Sequence, residues 1–256
     1  MEKEIIFGGN KFVIDSRGTI KKITGGSDEL YIPAVFPDGE RVFLIGQACC
    51  NDFYDKVIID DNIHSVEQGA FKDLCADELV WTSGCNYIPA RCFQGSCIKR
   101  IFNIEHVTEI GEGAFAGTWI KRFTWPENCK KIPADCFRKS RLNFICKIEN
   151  VEKIGRGAFR NTMLETINWP VACSVVPREC FAYSGLKSIL GLKNVSRIEA
   201  SAFRDTKDLN DVDLSSSFVI EVQRTAFAGI NKDAVTFSYY ISEDIIESAF
   251  SFSSKI

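Results

Sequence analysis

The sequence predicts an α/β solenoid, a single elongated coil whose turns of about 22 residues each add one strand to a parallel sheet on the concave side. Apolar residues recur five positions before a repeated phenylalanine, and five and eight positions after it. Self-similarity at a fixed period of roughly 20–50 residues is typical of solenoids. Successive phenylalanines are 22 residues apart six times and then 24 and 23: Phe71, Phe93, Phe115, Phe137, Phe159, Phe181, Phe203, Phe227 and Phe250.

Residues 1–42 do not follow this period and are predicted to form an irregular N-terminal capping segment. Short strands are expected at residues 11–14 and 19–23, and a hairpin at residues 37–39 should join residues 30–32 to residues 41–44. The first turn of a solenoid has no neighbour to cover it, so an atypical cap is expected there. The solenoid is predicted to span residues 43–256, with an incomplete last turn.

Within each turn, the spacing of Leu164, Ile167 and Trp169 predicts one strand with alternate side chains facing inward. Small residues and glycines before each phenylalanine predict a tight helical turn on the opposite wall. Prolines suit the first position of such a turn, and they occur there as Pro89, Pro133 and Pro177.

The two halves of this pattern, Ile-Gly-x-Gly-Ala-Phe at residues 154–159 and Leu-x-x-Ile-x-Trp-Pro at residues 164–170, resemble the BspA-type leucine-rich repeat family. The resemblance covers the chain from about Phe43 to its end. It implies a curved solenoid with a parallel sheet along its concave side. Characterised members of that family include microbial surface proteins that bind proteins of a host or of a neighbouring cell.

Composition excludes several classes of protein. The formal net charge is −3, which gives no general attraction to nucleic acid or to an anionic membrane. The first ten residues contain only three consecutive apolar residues, and no stretch approaches the roughly 18 that a spanning helix needs. We therefore expect no membrane insertion, a monomer, and a cytoplasmic location for the chain as given, or the cell surface if it is a fragment of an exported protein.

The 11 cysteines raise the possibility of disulfides or a metal site. Six of them recur every 44 residues at positions that hold valine or alanine in the intervening turns: Cys85, Cys129, Cys173, Cys92, Cys136 and Cys180. Buried cysteine behaves as a small apolar residue, so we predict core packing and no metal. Cys75 and Cys97 are the exception, because both lie four residues after their phenylalanine and should face each other on adjacent turns.

Three tryptophans, Trp81, Trp125 and Trp169, also recur every 44 residues. Strand alternation points them inward, which favours a role in the core, with Ile104, Ile148 and Leu192 filling the alternate turns. The alternative is an aromatic stripe on the concave face that binds a ligand.

The sequence contains no constellation suited to catalysis. Nucleophilic catalysis requires a base beside a thiol or hydroxyl, and neither His64 nor His106 repeats or accompanies a distinctive Ser or Cys motif. Phosphate-binding and dinucleotide-binding fingerprints are also missing. The sequence therefore predicts a protein that is not an enzyme and that has no cofactor.

The predicted strands carry outward-facing residues that could bind a partner. Two large apolar residues, Phe102 and Phe144, would stand in water near Arg100 and Arg122, and arginine with aromatic residues is typical of binding hot spots. In the alternative, a bulge turns Phe102 and Phe144 into the core. The predicted protein-binding residues are Arg100, Phe102, Arg122, Thr124, Phe144, Thr166, Asn168 and Ser188.

These patterns favour a non-catalytic scaffold that binds an unidentified protein partner through its concave face. The alternative function is a microbial cell-surface adhesin, which the family resemblance implies. An enzyme or an enzyme inhibitor would need a polar cluster that breaks the periodic pattern, and the sequence has none.

Overall fold

The structure is a computed structural model that describes residues 2–25, 27–47, 49–50 and 52–252. It divides into two compact units, Met1–Ile120 and Lys121–Ile256. Three parts of the predicted solenoid lie outside the described residues, namely Ala48, Asn51 and residues 253–256.

Within the described residues, the first unit forms ten β-strands. They are β1 (Lys3–Phe7), β2 (Asn10–Ile14), β3 (Thr19–Gly25), β4 (Glu29–Ile32), β5 (Leu44–Ile45), β6 (Phe53–Ile59), β7 (Cys75–Val80), β8 (Tyr87–Ile88), β9 (Arg100–Phe102) and β10 (Glu109–Ile110).

The chain begins with an antiparallel meander of β1, β2 and β3, and β3 then pairs in parallel with β5. The strands predicted at residues 11–14 and 19–23 are confirmed as β2 and β3. Phe12 lies opposite Ile23 in this meander, and both side chains are buried. The boundary of the capping segment at residue 42 stays a prediction.

The predicted hairpin around residues 37–39 exists, but it does not involve residues 30–32. β4 pairs in parallel with β6, which places Leu30 beside Val57 and Ile32 beside Ile59 in one buried layer. The hairpin is closed instead by a single antiparallel bridge between Val35 and Arg41. Burial of the two apolar residues of β4 therefore decides its pairing.

Strands of the first unit form two parallel ladders. The wider one has the order β4-β6-β7-β9, and the narrower one pairs β8 with β10. The strands of the narrower ladder end five residues before a repeated phenylalanine, at the apolar position that recurs there in the sequence.

Within its described residues, the second unit forms eleven strands, two 3-10 helices (Leu192–Asn194 and Lys232–Ala234) and one α-helix. They are β11 (Arg122–Thr124), β12 (Lys131–Ile132), β13 (Phe144–Cys146), β14 (Lys153–Ile154), β15 (Thr166–Asn168), β16 (Val175–Val176), β17 (Ser188–Leu190), β18 (Arg197–Ile198), β19 (Val212–Asp213), β20 (Glu221–Val222), β21 (Val235–Thr236) and α1 (Glu243–Phe250).

The strands of the second unit also form two sets of parallel pairs. One set is β11–β13, β15–β17 and β19–β21, and the other is β12–β14 and β16–β18–β20. The parallel pairing of the strands is confirmed, but the prediction of one strand per turn is wrong, because a regular turn contributes two. The chain is thus a β-solenoid of about 10 turns of roughly 22 residues.

The α/β label is only loosely supported, since helices account for 6% of the residues. The helical turns predicted at Pro89, Pro133 and Pro177 are wrong. The N–H of Cys92 donates to the carbonyl of Pro89, three residues back, and the segment continues as further turns instead of a helix. In each of these segments, alternate N–H groups point to the next turn of the coil, which a helix would not allow.

The repeated phenylalanines form a stacked column in the core of each unit, as predicted. Eight of them are fully buried, from Phe71 to Phe227. Within the units, neighbouring rings lie 5.2–6.0 Å apart between centroids and are nearly parallel. Phe250, in α1, is half-buried and is the last residue of the column. Its ring centroid lies 5.5 Å from that of Phe227.

The residues two before and two after each buried phenylalanine have positive φ. They are glycine in some turns, such as Gly113 (62°) and Gly117 (72°), and another residue in others, such as Asp135 (52°) and Lys139 (60°). Most of them occupy the third position of a turn closed by an i to i+3 hydrogen bond, as Gly113 does where the N–H of Ala114 donates to the carbonyl of Gly111, and a type II turn requires positive φ at that position. The recurrence of glycine in the sequence follows from this backbone requirement.

The tryptophans and the periodic cysteines fill the core together, as predicted. Trp81, Trp125 and Trp169 are buried, and their indole N–H groups donate to the carbonyls of Cys85, Cys129 and Cys173, at 2.7–3.0 Å. In the alternate turns, Ile104, Ile148 and Leu192 are buried instead. The ligand-binding aromatic stripe is therefore wrong.

Cys75 and Cys97 lie close together on adjacent turns. Both are half-buried, and their Sγ atoms are 3.1 Å apart, which confirms the predicted register of the first turns. Desolvation raises the pKa of the buried thiols Cys92, Cys136 and Cys180 well above the ordinary value.

We predict that Phe137→Ala lowers the free energy of unfolding by about 3–5 kcal/mol, through lost burial and a cavity. Phe137 is fully buried, and its ring centroid lies 5.1 Å from that of Phe123 and 6.0 Å from that of Phe159. Phe218→Ala, at an exposed ring, is the matched control and should cost about 0.5 kcal/mol or less. Chemical denaturation that finds a cost under about 1 kcal/mol for the first variant would contradict the stacked column.

We predict that Gly117→Ala destabilises the protein by about 1–2 kcal/mol, because alanine resists the positive φ at this position. The added methyl group would meet only ordinary contacts, so the cost would be conformational. Gly185→Ala is the control: Gly185 has no positive φ, and its new Cβ would lie 3.7 Å from Met163. This control should be neutral or slightly stabilising. Equal effects in thermal denaturation would show that φ is not the cause.

We predict that a thiol-alkylating reagent labels Cys75 and Cys97 in the folded protein well before Cys92, Cys136 and Cys180. The thiolate is the reactive form of cysteine. Burial keeps the reagent away from Cys92, Cys136 and Cys180 and disfavours the ionisation of their thiols. Peptide mass spectrometry after timed labelling measures the order. All five should react alike once the chain is unfolded in denaturant. Comparable labelling of Cys136 in the folded protein would show that this core opens readily.

Candidate functional site

Strand alternation determines which side chains of the second unit reach the surface. The middle residue of each three-residue strand is buried, namely Phe123, Ile145, Ile167 and Ile189. The flanking residues point outward, because successive side chains of a strand face opposite sides. The outward residues form two rows, Arg122, Phe144, Thr166 and Ser188 in one and Thr124, Cys146, Asn168 and Leu190 in the other.

Arg122 and Phe144 form the best-defined contact on this face. They are directly opposite each other in the pairing of β11 with β13, and the Arg122 guanidinium carbon lies 4.4 Å from the centroid of the Phe144 ring. Such a cation–π contact is worth about 0.5–1 kcal/mol at an exposed site. Arg122 makes no ion pair with any described residue. Its charge is therefore held in place over the ring but is not neutralised.

The remaining predicted residues of the second unit also lie on this face. Thr124 is exposed, with its Oγ1 3.6 Å from the Sγ of Cys146 across the strand pair. Thr166 and Asn168 are exposed on β15, and Ser188 is half-buried on β17. Next to Asn168 lies Leu190, which is 54% exposed. The surface thus combines small polar groups with isolated large apolar ones.

The structure decides between the two placements of the apolar rings. Phe102 is 43% exposed and Phe144 is 39% exposed, so the bulge that would have buried them is wrong. The backbone irregularity lies instead at Asn103, the residue after Phe102, where φ is 61°. That left-handed residue lets the following Ile104 enter the core while Phe102 stays outside.

The first unit has its own strand face, on which the charged residues alternate in sign. Glu29, Lys56, Glu78 and Arg100 lie side by side across β4, β6, β7 and β9. The Arg100 guanidinium contacts the Glu78 carboxylate at 2.5 Å. The charge of Arg100 is therefore balanced by a neighbouring strand, and its role in binding a partner stays a prediction.

Beside this charged row lies an apolar row, and strand alternation predicts an outward position for two of its members, Val80 and Phe102. Tyr31, Ile58, Val80 and Phe102 are aligned across the same four strands, and each of them is exposed or half-buried. The Tyr31 hydroxyl donates to the Asp60 carboxylate, and this hydrogen bond raises the pKa of Tyr31 to about 12. Tyr31 lies in the non-periodic segment, so the repeat gave no signal for its register. Alternation within residues 29–32 was the only clue.

His, Cys, Asp and Glu are the side chains that could bind a metal or support catalysis. Among residues 2–25, 27–47, 49–50 and 52–252, there is no cluster of three or more His, Cys, Asp or Glu suited to a metal ion. Ring nitrogens of His64 and His106 lie 2.9 and 3.1 Å from the backbone carbonyls of Gly84 and Cys85. The described part of the chain also has no helix long and apolar enough to cross a membrane.

Comparison with known proteins agrees with this architecture. The pattern described as "BspA type Leucine rich repeat region" matches residues 64–187 and 174–256, in six copies. No curated protein matches the sequence. Among solved structures, the pneumococcal vaccine antigen PcpA is similar with a TM-score of 0.52 and 14% identity, over 93% of this chain and 82% of that one.

Two further solved structures are similar at lower scores. One is a leucine-rich cell surface protein from Faecalibacterium prausnitzii, with 18% identity over 99% of both chains and a TM-score of 0.45. The other is a leucine-rich repeat protein from Bacteroides ovatus, with 15% identity over 93% of this chain and 76% of that one, and a TM-score of 0.40. The repeat match covers most of the chain, so this protein belongs to the BspA-type leucine-rich repeat family.

Proposed function

We propose that this protein is a non-catalytic scaffold that binds a protein partner through the outward faces of its strands, the surface predicted to be concave. One observation carries the proposal. Outward strand positions hold large apolar side chains, among them Phe102, Phe144 and Leu190, that the core does not need. Exposed apolar groups aligned on one face, as in the first unit's row of Tyr31, Ile58, Val80 and Phe102, usually belong to an interaction site.

The second unit offers an ordered hot spot for such a partner. Arginine and aromatic residues dominate binding hot spots. Because Arg122 already lies over the Phe144 ring, a partner that covers both loses less side-chain entropy on binding. Thr124, Thr166, Asn168 and Ser188 surround this pair with short polar groups that can donate or accept hydrogen bonds without bulk.

The first unit offers a different combination of groups. Its apolar row of Tyr31, Ile58, Val80 and Phe102 is bordered by charges that alternate in sign. The apolar row would supply affinity. The charges would favour one orientation of the partner over others, since a partner with the wrong sign would meet a like charge.

Other properties belong to the same proposal. Solenoid repeats present surface positions that vary without disturbing the core, which suits a scaffold. We expect a monomer that needs no cofactor and does not bind nucleic acid. The alternative is a microbial cell-surface adhesin, in which the same faces would bind a protein on another cell.

We predict that Phe144→Ser in the second unit and Phe102→Ser in the first each weaken partner binding about tenfold or more, because truncating a hot-spot residue costs about 2 kcal/mol or more and about 1.4 kcal/mol is tenfold in affinity. The partner is defined by quantitative mass spectrometry as a protein captured by the wild-type chain and lost by one of these variants. Its dissociation constant is then measured with purified proteins.

Matched controls come from exposed apolar residues away from the strand faces of each unit. Val171→Ser serves for the second unit and Phe43→Ser for the first, and both should capture the partner normally. If all variants capture the same proteins as the wild type, the strand faces are not the binding surface. A parallel capture on intact foreign cells separates the adhesin, which should bind them and lose binding in the same variants.

A further inference from the structure

The turn wall of the second unit carries many arginines. This wall consists of the segments from three residues before to four residues after each column phenylalanine, residues 134–141, 156–163, 178–185, 200–207 and 224–231. It holds seven of the chain's 13 arginines but only two of its 18 lysines. The wall contains three acidic residues, Asp135, Glu179 and Asp205. It contains nine basic residues: Arg138, Lys139, Arg141, Arg156, Arg160, Arg178, Arg204, Lys207 and Arg224.

The repeat itself does not require this charge. The corresponding segments of the first unit, residues 68–75, 90–97 and 112–119, contain two basic residues, Lys72 and Arg91, and two acidic ones, Asp73 and Glu112. Those segments form the same turns around Phe71, Phe93 and Phe115. The excess of positive charge on the second unit is therefore a property of its surface and is not dictated by its packing.

Part of this charge is balanced within the wall, and part is not. The Arg160 guanidinium contacts the Glu179 carboxylate at 2.5 Å, and Arg204 contacts Asp205 at 3.3 Å. In contrast, Arg138, Arg156, Arg178 and Arg224 form no ion pair with any residue that the structure describes. Of these four, all but Arg138 are exposed.

Adjacent turns bring unbalanced cations next to each other. Arg156 and Arg178 occupy the same position on neighbouring turns, and the N–H of Gly157 donates to the carbonyl of Arg178 at 3.0 Å. Their backbones are thus one ladder step apart, roughly 4.8 Å. Like charges at this spacing repel each other, and an anion that bridges them would remove the repulsion.

The choice of arginine over lysine points to the chemistry of the anion. The planar guanidinium offers a fork of N–H donors that matches a carboxylate, whereas an ammonium is a point charge. The contact of Arg160 with Glu179 shows a carboxylate already held in this way on the wall. Single-stranded nucleic acid would call for several stacking rings, and Tyr183 is the only exposed aromatic residue among the wall segments, all of which the structure describes.

We propose that the turn wall of the second unit is a second docking surface, which binds an acidic peptide segment of a protein partner through Arg138, Arg156, Arg178 and Arg224. This surface is separate from the strand faces. It needs no apolar contact, and its affinity falls as salt rises, because exposed charges are screened.

The test uses the full chain and a fluorescein-labelled synthetic peptide of about ten alternating glutamate and serine residues, followed by fluorescence anisotropy at about 50 and 300 mM salt. Arg156→Gln/Arg178→Gln should weaken binding at least about tenfold at low salt. Lys130→Gln/Lys193→Gln removes two exposed charges of the same unit outside the wall and should weaken binding less than about twofold. Arg156→Lys/Arg178→Lys keeps the charge but should still lose part of the binding, since the fork is gone.

Several results would overturn the proposal. Equal losses in the glutamine variants of the wall and of the control would show a general charge effect. Retention of a heparin or oligothymidine probe at a salt concentration that releases the peptide would assign the wall to another class of polyanion. Peptide binding that survives in the Arg156→Gln/Arg178→Gln variant would place the peptide site elsewhere. All of these variants change exposed side chains that have no ion-pair partner among the described residues, and thermal denaturation confirms that they are folded.

Discussion

The phenylalanine column and its backbone ladder are the constraint on which every other feature depends. Within each unit, a column ring lies on the ring of the next turn, and the N–H of the same residue donates to that turn, as from Phe159 to the carbonyl of Cys180 at 3.0 Å. A ring offset by one residue would break both contacts at once, so stacking and hydrogen bonding specify one register. The residues two before and two after each buried column phenylalanine have positive φ because sharp turns on both sides are needed to place the ring in this register.

This constraint leaves the segment after each strand free to vary, and the chain uses two solutions. In one, Trp125 enters the core and its indole N–H satisfies the carbonyl of Cys129. In the other, Lys147 takes a left-handed conformation at the tryptophan position, and Ile148 enters the core one residue later. Exposed apolar residues on the strand faces, such as Phe144 and Leu190, belong to turns of the second kind. The core of those turns is complete without them.

The sequence was sufficient for the features that repeat, and it failed where the repeat carries no signal. Period and residue type predicted the column, the buried cysteines and tryptophans, and the exposure of Phe102. The two-residue strands were missed because two residues have too little periodicity to suggest a strand. Prolines before the phenylalanine suggested a helix, but the positive φ of residues such as Asp135 imposes turns instead. The 22-residue spacing of Glu78 and Arg100 predicts that they are neighbours on adjacent strands, but it does not show that their side chains form an ion pair.

Charge is distributed differently over the surfaces that the core leaves free. On the strand face of the first unit, each charged residue has a neighbour of opposite sign, so its field is short-ranged and a partner gains mainly by covering apolar groups. On the turn wall of the second unit, arginines stand beside arginines, and their uncompensated field extends about one Debye length, roughly 8–10 Å, into the solvent. The first kind of surface governs how long a partner stays, and the second governs how fast an acidic segment arrives. A solenoid can carry both kinds, because the column fixes the backbone whatever side chains point outward.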